Sequence, residues 1–220
     1  MSLVLAYDCA VSGLGLALVR DDGAPVATHR EDGREQAARL LPAIAGLLDK
    51  ADAKKNEIRM IAVTVGPGSF TGVRVGLAAA RGLAVALAVP LAGFTTTSVL
   101  LAQTAPTQAL AVAAIDTKLG DWYCAFASEA PFVASAESLA ARLAGRACTI
   151  VGPDVEALAA RIPNATARPA AIDPVTLARL ALADGVDAWR ARNKQEGLPR
   201  PLYLRGVNVT APDGSRRTVD

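Results

Sequence analysis

The sequence predicts an α/β protein in which the pattern of the first half begins again in a smaller second one. Three observations carry that reading. Apolar strand-like runs alternate with helical periodicities along the chain. A strand ending in aspartate, a glycine-bearing turn and a second strand occur twice, as LVLAYDCAVSGLGLALV with Asp8 and Gly13 and as ALAVAAIDTKLGDWYCAF with Asp116 and Gly120. Between them TAPTQ, residues 104–108, is small, polar and proline-containing, and marks a boundary. The predicted lobes are 1–105 and a smaller 106–220.

Taken in order, LVLAYD is a buried strand, and GLGLALVRDDGAPVATHRED is two strands around an Asp-Asp-Gly turn. Residues 35–50 form a helix with Ala37, Leu40, Leu41, Ile44, Leu47 and Leu48 at helical spacing and Pro42 kinking its middle. IRMIAVTV is a strand buried on both faces and stopped by Gly66-Pro67-Gly68. A helix comes next over 71–88, with Ser69 or Thr71 as its cap. VPLAGF gives a strand and TTSVLLAQT a short helix. Beyond the boundary, AESLAARLAG, DVEALAARI and DPVTLARLALADG read as helices and ACTIVG as a strand, before a Pro- and Gly-rich tail that lies across the surface.

Composition narrows the class. The 220 residues are 52% hydrophobic and 20% charged, enough for a substantial core, and the net charge of +2 is scattered, so no basic patch announces direct nucleic-acid binding. Cys9, Cys124 and Cys148 are odd in number and lie in apolar surroundings, as buried free thiols in a reducing cytoplasm do. The stretch VGLAAARGLAVALAVPLAGF carries Arg81 and Pro90 and is alanine-rich, which favours a buried helix over a membrane span.

The segment VTVGPGSFTGVRVG is the densest candidate for chemistry. It lacks the lysine of a phosphate-binding GxxxxGK loop, and Thr71 stands where a dinucleotide fingerprint needs its third glycine. Pro67 and Thr71 break the GxSxG pattern around Ser69, and His29 is the chain's only histidine, which removes a serine triad and paired-histidine metal sites. Two readings stay open: a capped strand-to-helix turn, or such a turn that also holds an anion on free amides. The helix beyond it bears small residues at Gly72, Gly76, Ala79, Ala80 and Ala84, with Gly82 at mid-helix, so another helix packs close, either 35–50 or one from a partner chain.

VTVGPGSFTGVRVGLAAARGLA resembles the signature of the TsaB family, the bacterial dimerisation subunits of the tRNA threonylcarbamoyladenosine machinery. LAYDCAVSGLGLAL, REQAARLLPAI, VAAIDTKLGDWYCAF and RPLYLR extend the likeness over nearly the whole chain. The resemblance implies an actin/sugar-kinase fold of two duplicated lobes. It implies a cytoplasmic, non-catalytic scaffold that pairs with TsaD, the metal-bearing subunit that transfers the threonylcarbamoyl group to the adenosine 3′ of the anticodon in tRNAs reading ANN codons. TsaE joins the assembly, a homodimer forms when TsaD is absent, and tRNA is met only through the complex.

The expected interface comprises Leu40, Leu41, Ile44, Leu48, Gly72, Val73, Gly76 and Ala80. Asp8, Gly66, Gly68, Ser69 and Thr71 are the candidates for nucleotide contact. No cofactor is required by the chain itself, and ATP or ADP enters only at the assembled complex. Ala10 stands where active members of the fold have glycine, Asp8-Cys9-Ala10 replaces Asp-Thr-Ser, Asp116-Thr117-Lys118 replaces Asp-Ala-Arg, and Gln36 lies near where TsaD carries metal-binding histidines. The competing reading is a nucleotide-hydrolysing enzyme of the same fold using Asp8 or Asp116 with the glycine loop.

Overall fold

The computed structural model describes residues 2–11, 13–33, 35–104 and 109–205, together with the backbone of two short paired strands at 207–210 and 216–219. The first sheet contains β1 (Leu3–Asp8), β2 (Leu14–Arg20), β3 (Pro25–Glu31), β4 (Ile58–Thr64) and β5 (Leu91–Phe94), in the order β3-β2-β1-β4-β5. β1, β2 and β3 form an antiparallel meander, and β4 and β5 add parallel to β1. The second contains β6 (Leu110–Asp116), β7 (Trp122–Phe126), β8 (Phe132–Ala134), β9 (Cys148–Gly152) and β10 (Ala165–Pro169), in the order β8-β7-β6-β9-β10 with the same directions. This repeated topology is the two-sheet plan of the actin/sugar-kinase fold.

Strand alternation explains how the first sheet is covered on both sides. Leu5 and Tyr7 of β1 join Leu16, Ile61 and Val63 in a core under α1 (Gln36–Lys50) and α2 (Phe70–Leu87). Val4 and Ala6 point the other way, into a core shared with Ala113, Ile115 and Val151 of the second sheet. α1 contributes Leu40, Ile44 and Leu47 at helical spacing, each worth about 1.5–3 kcal/mol when fully buried, and continues unbroken through the exposed Pro42. α2 is long and apolar enough to cross a membrane by length and composition, but packs Gly72, Val73, Gly76, Leu77, Ala80 and Ala84 onto its own sheet.

The helix that follows the last strand of each sheet crosses to the other sheet. α3 (Thr96–Ala102) follows β5 yet packs on β6 and β7, whereas α6 (Pro174–Asp184) follows β10 yet packs on β1 and β2. α4 (Ala136–Leu143) and the single turn α5 (Glu156–Ala159) cover the outer face of the second sheet. α7 (Val186–Glu196), which the sequence pattern does not announce, returns to β5, where the Asn193 side chain donates to Leu91 O at 3.0 Å and accepts from Leu91 N–H at 2.7 Å.

As expected, the described part of the tail lies across the surface, exposed or half-buried along its length, and it is pinned to the first lobe. Leu202 N–H donates to Val65 O at 2.8 Å, Pro199 fills the space beside Gly93, and Arg81 holds the Pro199 carbonyl at 2.6 Å. Beyond Arg205 only the backbone of the two paired strands at 207–210 and 216–219 is described, and residues 105–108 of the TAPTQ boundary lie outside the described residues.

Candidate functional site

At the end of β4 the chain turns through Val65-Gly66-Pro67-Gly68, with a cis Gly66–Pro67 bond and Gly66 at φ +97°. Backbone bonds hold the loop from several sides. Val65 N–H reaches Phe94 O at 2.9 Å, Thr96 N–H reaches Gly66 O at 2.8 Å, and Ser69 N–H reaches Ala10 O at 2.6 Å. Ser69 is the N-cap of α2, its hydroxyl accepting from Gly72 N–H at 3.2 Å, while Thr71 sits exposed in the first turn.

The β1–β2 loop comes so close that a β-carbon at Gly68 would lie 2.2 Å from Ala10 O, and one at Gly72 would lie 1.9 Å from Cys9 O. Two amides that an anion would use, those of Ser69 and Gly72, are therefore engaged internally. The partial positive charge of the helix start is met by carbonyl oxygens.

Asp8, at the end of β1, is only 4% exposed. Its Oδ1 accepts from Ala10 N–H at 3.0 Å and from the Thr64 hydroxyl at 2.5 Å, so the carboxyl closes a buried turn. Burial pushes its pKa up; the Thr64 hydroxyl, the Ala10 and Val11 amides and the charge of Arg30 act in the opposite direction. Arg30 itself donates to Ile172 O at 2.5 Å. Asp116 repeats the turn: its Oδ1 accepts from Lys118 N–H at 2.6 Å, and its Oδ2 meets Lys118 Nζ at 3.0 Å.

The three thiols are buried and free, and burial pushes Cys9 up and Cys124 up to about 12, which keeps both protonated and unreactive at neutral pH. His29 lies 3.4 Å from Glu31, whose carboxylate also takes two bonds from Arg39. Among the described residues no three His, Cys, Asp or Glu side chains are grouped as a metal would need.

The residues expected to form a partner interface divide. Leu40, Ile44, Gly72, Val73, Gly76 and Ala80 are buried inside the chain, Leu48 is partly buried, and Leu41 is 55% exposed. The small residues at Gly72 and Gly76 do allow a close approach, but the neighbour is not a helix. It is Cys9, whose carbonyl fills the space at Gly72 and whose Cβ and Sγ lie 3.3 Å from where a Gly76 β-carbon would stand.

The outward faces of the two helices, which pack side by side, carry other residues. α2 exposes Thr71, Arg74, Ala78, Gly82 and Val85, the last 73% exposed, and α1 exposes Ala38, Leu41 and Ala45. A β-carbon at Gly46 or Gly82 would meet nothing within 4 Å, so no packing within the chain demands either glycine. The sequence signal for this face is the mid-helix Gly82, which the spacing of Gly72 and Gly76 overshadows.

Comparison with known proteins gives these features a family. Residues 29–141, just over half the chain, match the family model described as TsaD: tRNA N6-adenosine threonylcarbamoyltransferase. The Escherichia coli K12 tRNA threonylcarbamoyladenosine biosynthesis protein TsaB is 36% identical over 127 residues, 56% of this chain and 53% of that one. The Bacillus subtilis protein of the same name is 31% identical over 120 residues, 54% and 52% of the two chains. The chain belongs to this family, as a TsaB-type member.

The matches to TsaB span about half the length of these curated relatives. Among solved structures, a Pseudomonas aeruginosa protein described as similar to peptidase YEAZ superposes with a TM-score of 0.71 at 27% identity, covering 93% of this chain and 100% of that one. YeaZ from Pseudomonas aeruginosa gives 0.69 at 26% identity, with coverage of 93% and 100%. Both likenesses extend over the two sheets.

Proposed function

We propose that this TsaB-type chain acts in the biosynthesis of tRNA threonylcarbamoyladenosine as a non-catalytic subunit that docks a TsaD-type partner through the outward faces of α1 and α2. The observation that carries the reading is Gly82. A glycine in a helix interior costs up to about 1 kcal/mol relative to alanine, and here nothing in the chain requires it. With Ala78 beside it and Leu41 and Val85 exposed nearby, it makes a smooth apolar surface on which a second helix can approach to about 8 Å.

The chain's polar groups support a scaffold over an independent enzyme. Asp8 is tied to Thr64 and Ala10, Asp116 is paired with Lys118, and Ser69 caps a helix. A general base must be within reach of a substrate proton, and each of these side chains is already engaged inside the protein. On this reading the chemistry, with any ATP or ADP, belongs to the assembled complex. TsaE joins that complex, tRNA is contacted through the partner, and self-association uses the same helices when the partner is absent.

The test is co-purification with the TsaD protein of the same organism, together with formation of the modified nucleoside in tRNA. Val85→Asp and Leu41→Asp should abolish both while the isolated chain keeps its circular dichroism and unfolding transition. Unchanged complex formation by both variants would remove the docking assignment. Modification that proceeds equally without this chain would remove the functional one.

A further inference from the structure

We infer that Arg74 is the charged anchor of this docking face, and that the partner presents an aspartate or glutamate opposite it, beside small apolar residues that meet Ala78, Gly82 and Val85. The inference rests on the docking reading above. Arg74 lies on the exposed stripe of α2, between Thr71 and Ala78. Its guanidinium carbon stacks 3.5 Å from the Phe70 ring centroid and 5.5 Å from that of Tyr203, and its Nε donates to the Tyr203 hydroxyl at 2.7 Å. The two rings lie 5.4 Å apart.

Tyr203 is itself fixed by the strap that Leu202 pins to Val65 and Arg81 pins at Pro199. An exposed arginine is normally among the most mobile side chains, so a partner must freeze it on binding. Here that ordering is already achieved by residues far apart in sequence, which is the preorganisation that makes an interface anchor.

The bonding pattern specifies what the anchor takes. With Nε engaged by Tyr203, the two terminal nitrogens remain as a fork for a two-oxygen acceptor. Arg39, Arg142, Arg161 and Arg192 each sit against a carboxylate of this chain, whereas Arg74 has none among the described residues. Arg81, on the same helix, is engaged with the Pro199 carbonyl.

A phosphodiester backbone would also fit a single fork, but nucleic acid binding draws on several cations together. The rest of this stripe, Thr71, Ala78, Gly82 and Val85, carries no charge, and the whole chain carries only +2. A protein carboxylate at one end of an apolar helix contact matches those surroundings better.

The experiment titrates the TsaD protein of the same organism against the wild-type chain, Arg74→Glu, Tyr203→Phe and Val85→Asp by calorimetry at two salt concentrations. Arg74→Glu should weaken binding at least about tenfold and remove much of its salt dependence, with no more than a small shift in the unfolding transition of the isolated chain. Tyr203→Phe keeps the ring but loses the acceptor, and should weaken binding about two- to threefold.

Wild-type affinity in Arg74→Glu with loss in Val85→Asp would overturn the anchor and leave the docking face standing. Wild-type affinity in both would sink the docking reading itself. Loss of tRNA retention by the complex with partner affinity intact would make the acceptor a phosphate. A change confined to self-association of the isolated chain would make the occupant a second copy. Either of these last two results also overturns the inference.

Discussion

The two sheets each end their fourth strand on Val-Gly-Pro, but the helices launched from those turns differ. Val65-Gly66-Pro67 and Val151-Gly152-Pro153 both place a positive-φ glycine, at +97° and +156°, where a β-carbon would strike backbone oxygen, Leu202 O at 2.9 Å and Ala114 O at 1.9 Å. After the first turn Ser69 caps a helix of 18 residues, whereas after the second the chain makes a helix of 4 residues with no side-chain cap. The glycine-proline turn is thus part of the repeated architecture and is not peculiar to one lobe. What sets the first lobe apart is the long, small-residue helix that its turn launches, and the functional reading belongs there.

The sharpest way to break that comparison is Gly72→Ala. The added methyl would lie 1.9 Å from Cys9 O, and neither the helix nor the β1–β2 loop can retreat without losing the bond from Ser69 N–H to Ala10 O. Overpacking against backbone should cost about 3 kcal/mol or more, read as a lowered urea midpoint. A cost under about 1 kcal/mol would mean that the loop yields and that the close approach is incidental.

The aspartate turns supply the next contrast. Asp8→Ala leaves the Thr64 hydroxyl and the Ala10 amide without their acceptor in a buried site, an expected loss of about 2–4 kcal/mol. Asp116→Ala removes the corresponding turn bond and a lysine pair at the surface, an expected loss under about 1 kcal/mol. Equal costs, measured by denaturation of the two variants, would erase the distinction between a buried and an exposed copy of one motif.

Acid titration sharpens the same pair. Burial raises the Asp8 carboxyl above its ordinary value of 3.8, so the native state holds a proton that the unfolded chain has already released. Stability from this group is full below that ordinary value and is lost as pH rises through the raised native one. The stability of the wild type minus that of Asp8→Asn should therefore fall across that window and level off above it. A difference that climbs with pH would mean that the Thr64 hydroxyl and the amides outweigh burial.

Much of this architecture is legible in the sequence because buried strands and amphipathic helices write their periods into it. α2 starts at Phe70 against an expected 71, and the matched Asp8 and Asp116 turns announce the topology that the two sheets repeat. β8 escapes because it has only 3 residues, and β10 because it is an edge strand with no buried residue and so carries no apolar run. α7 escapes because it is polar on nearly every side and buries only Trp189. The exchange of α3 and α6 between sheets is a matter of long-range packing that no local pattern encodes. The candidate face reads one side out in the sequence: small residues announce that something comes close, but only the fold shows that Cys9 takes the place at Gly72 and Gly76 and leaves Gly82 bare.

The gentlest perturbation separates the two uses of glycine on one helix. At Gly82 a methyl meets open space, so Gly82→Ala should stabilise the isolated chain by about 0.5–1 kcal/mol through backbone entropy and helix propensity. The same methyl would stand between α2 and any helix seated on it, so affinity for the partner should fall even as the unfolding midpoint rises. Opposite signs in the two measurements are what a glycine retained for an external contact predicts. A gain in stability with unchanged affinity would leave Gly82 without a role at the interface and move the contact toward Leu41 and Arg74.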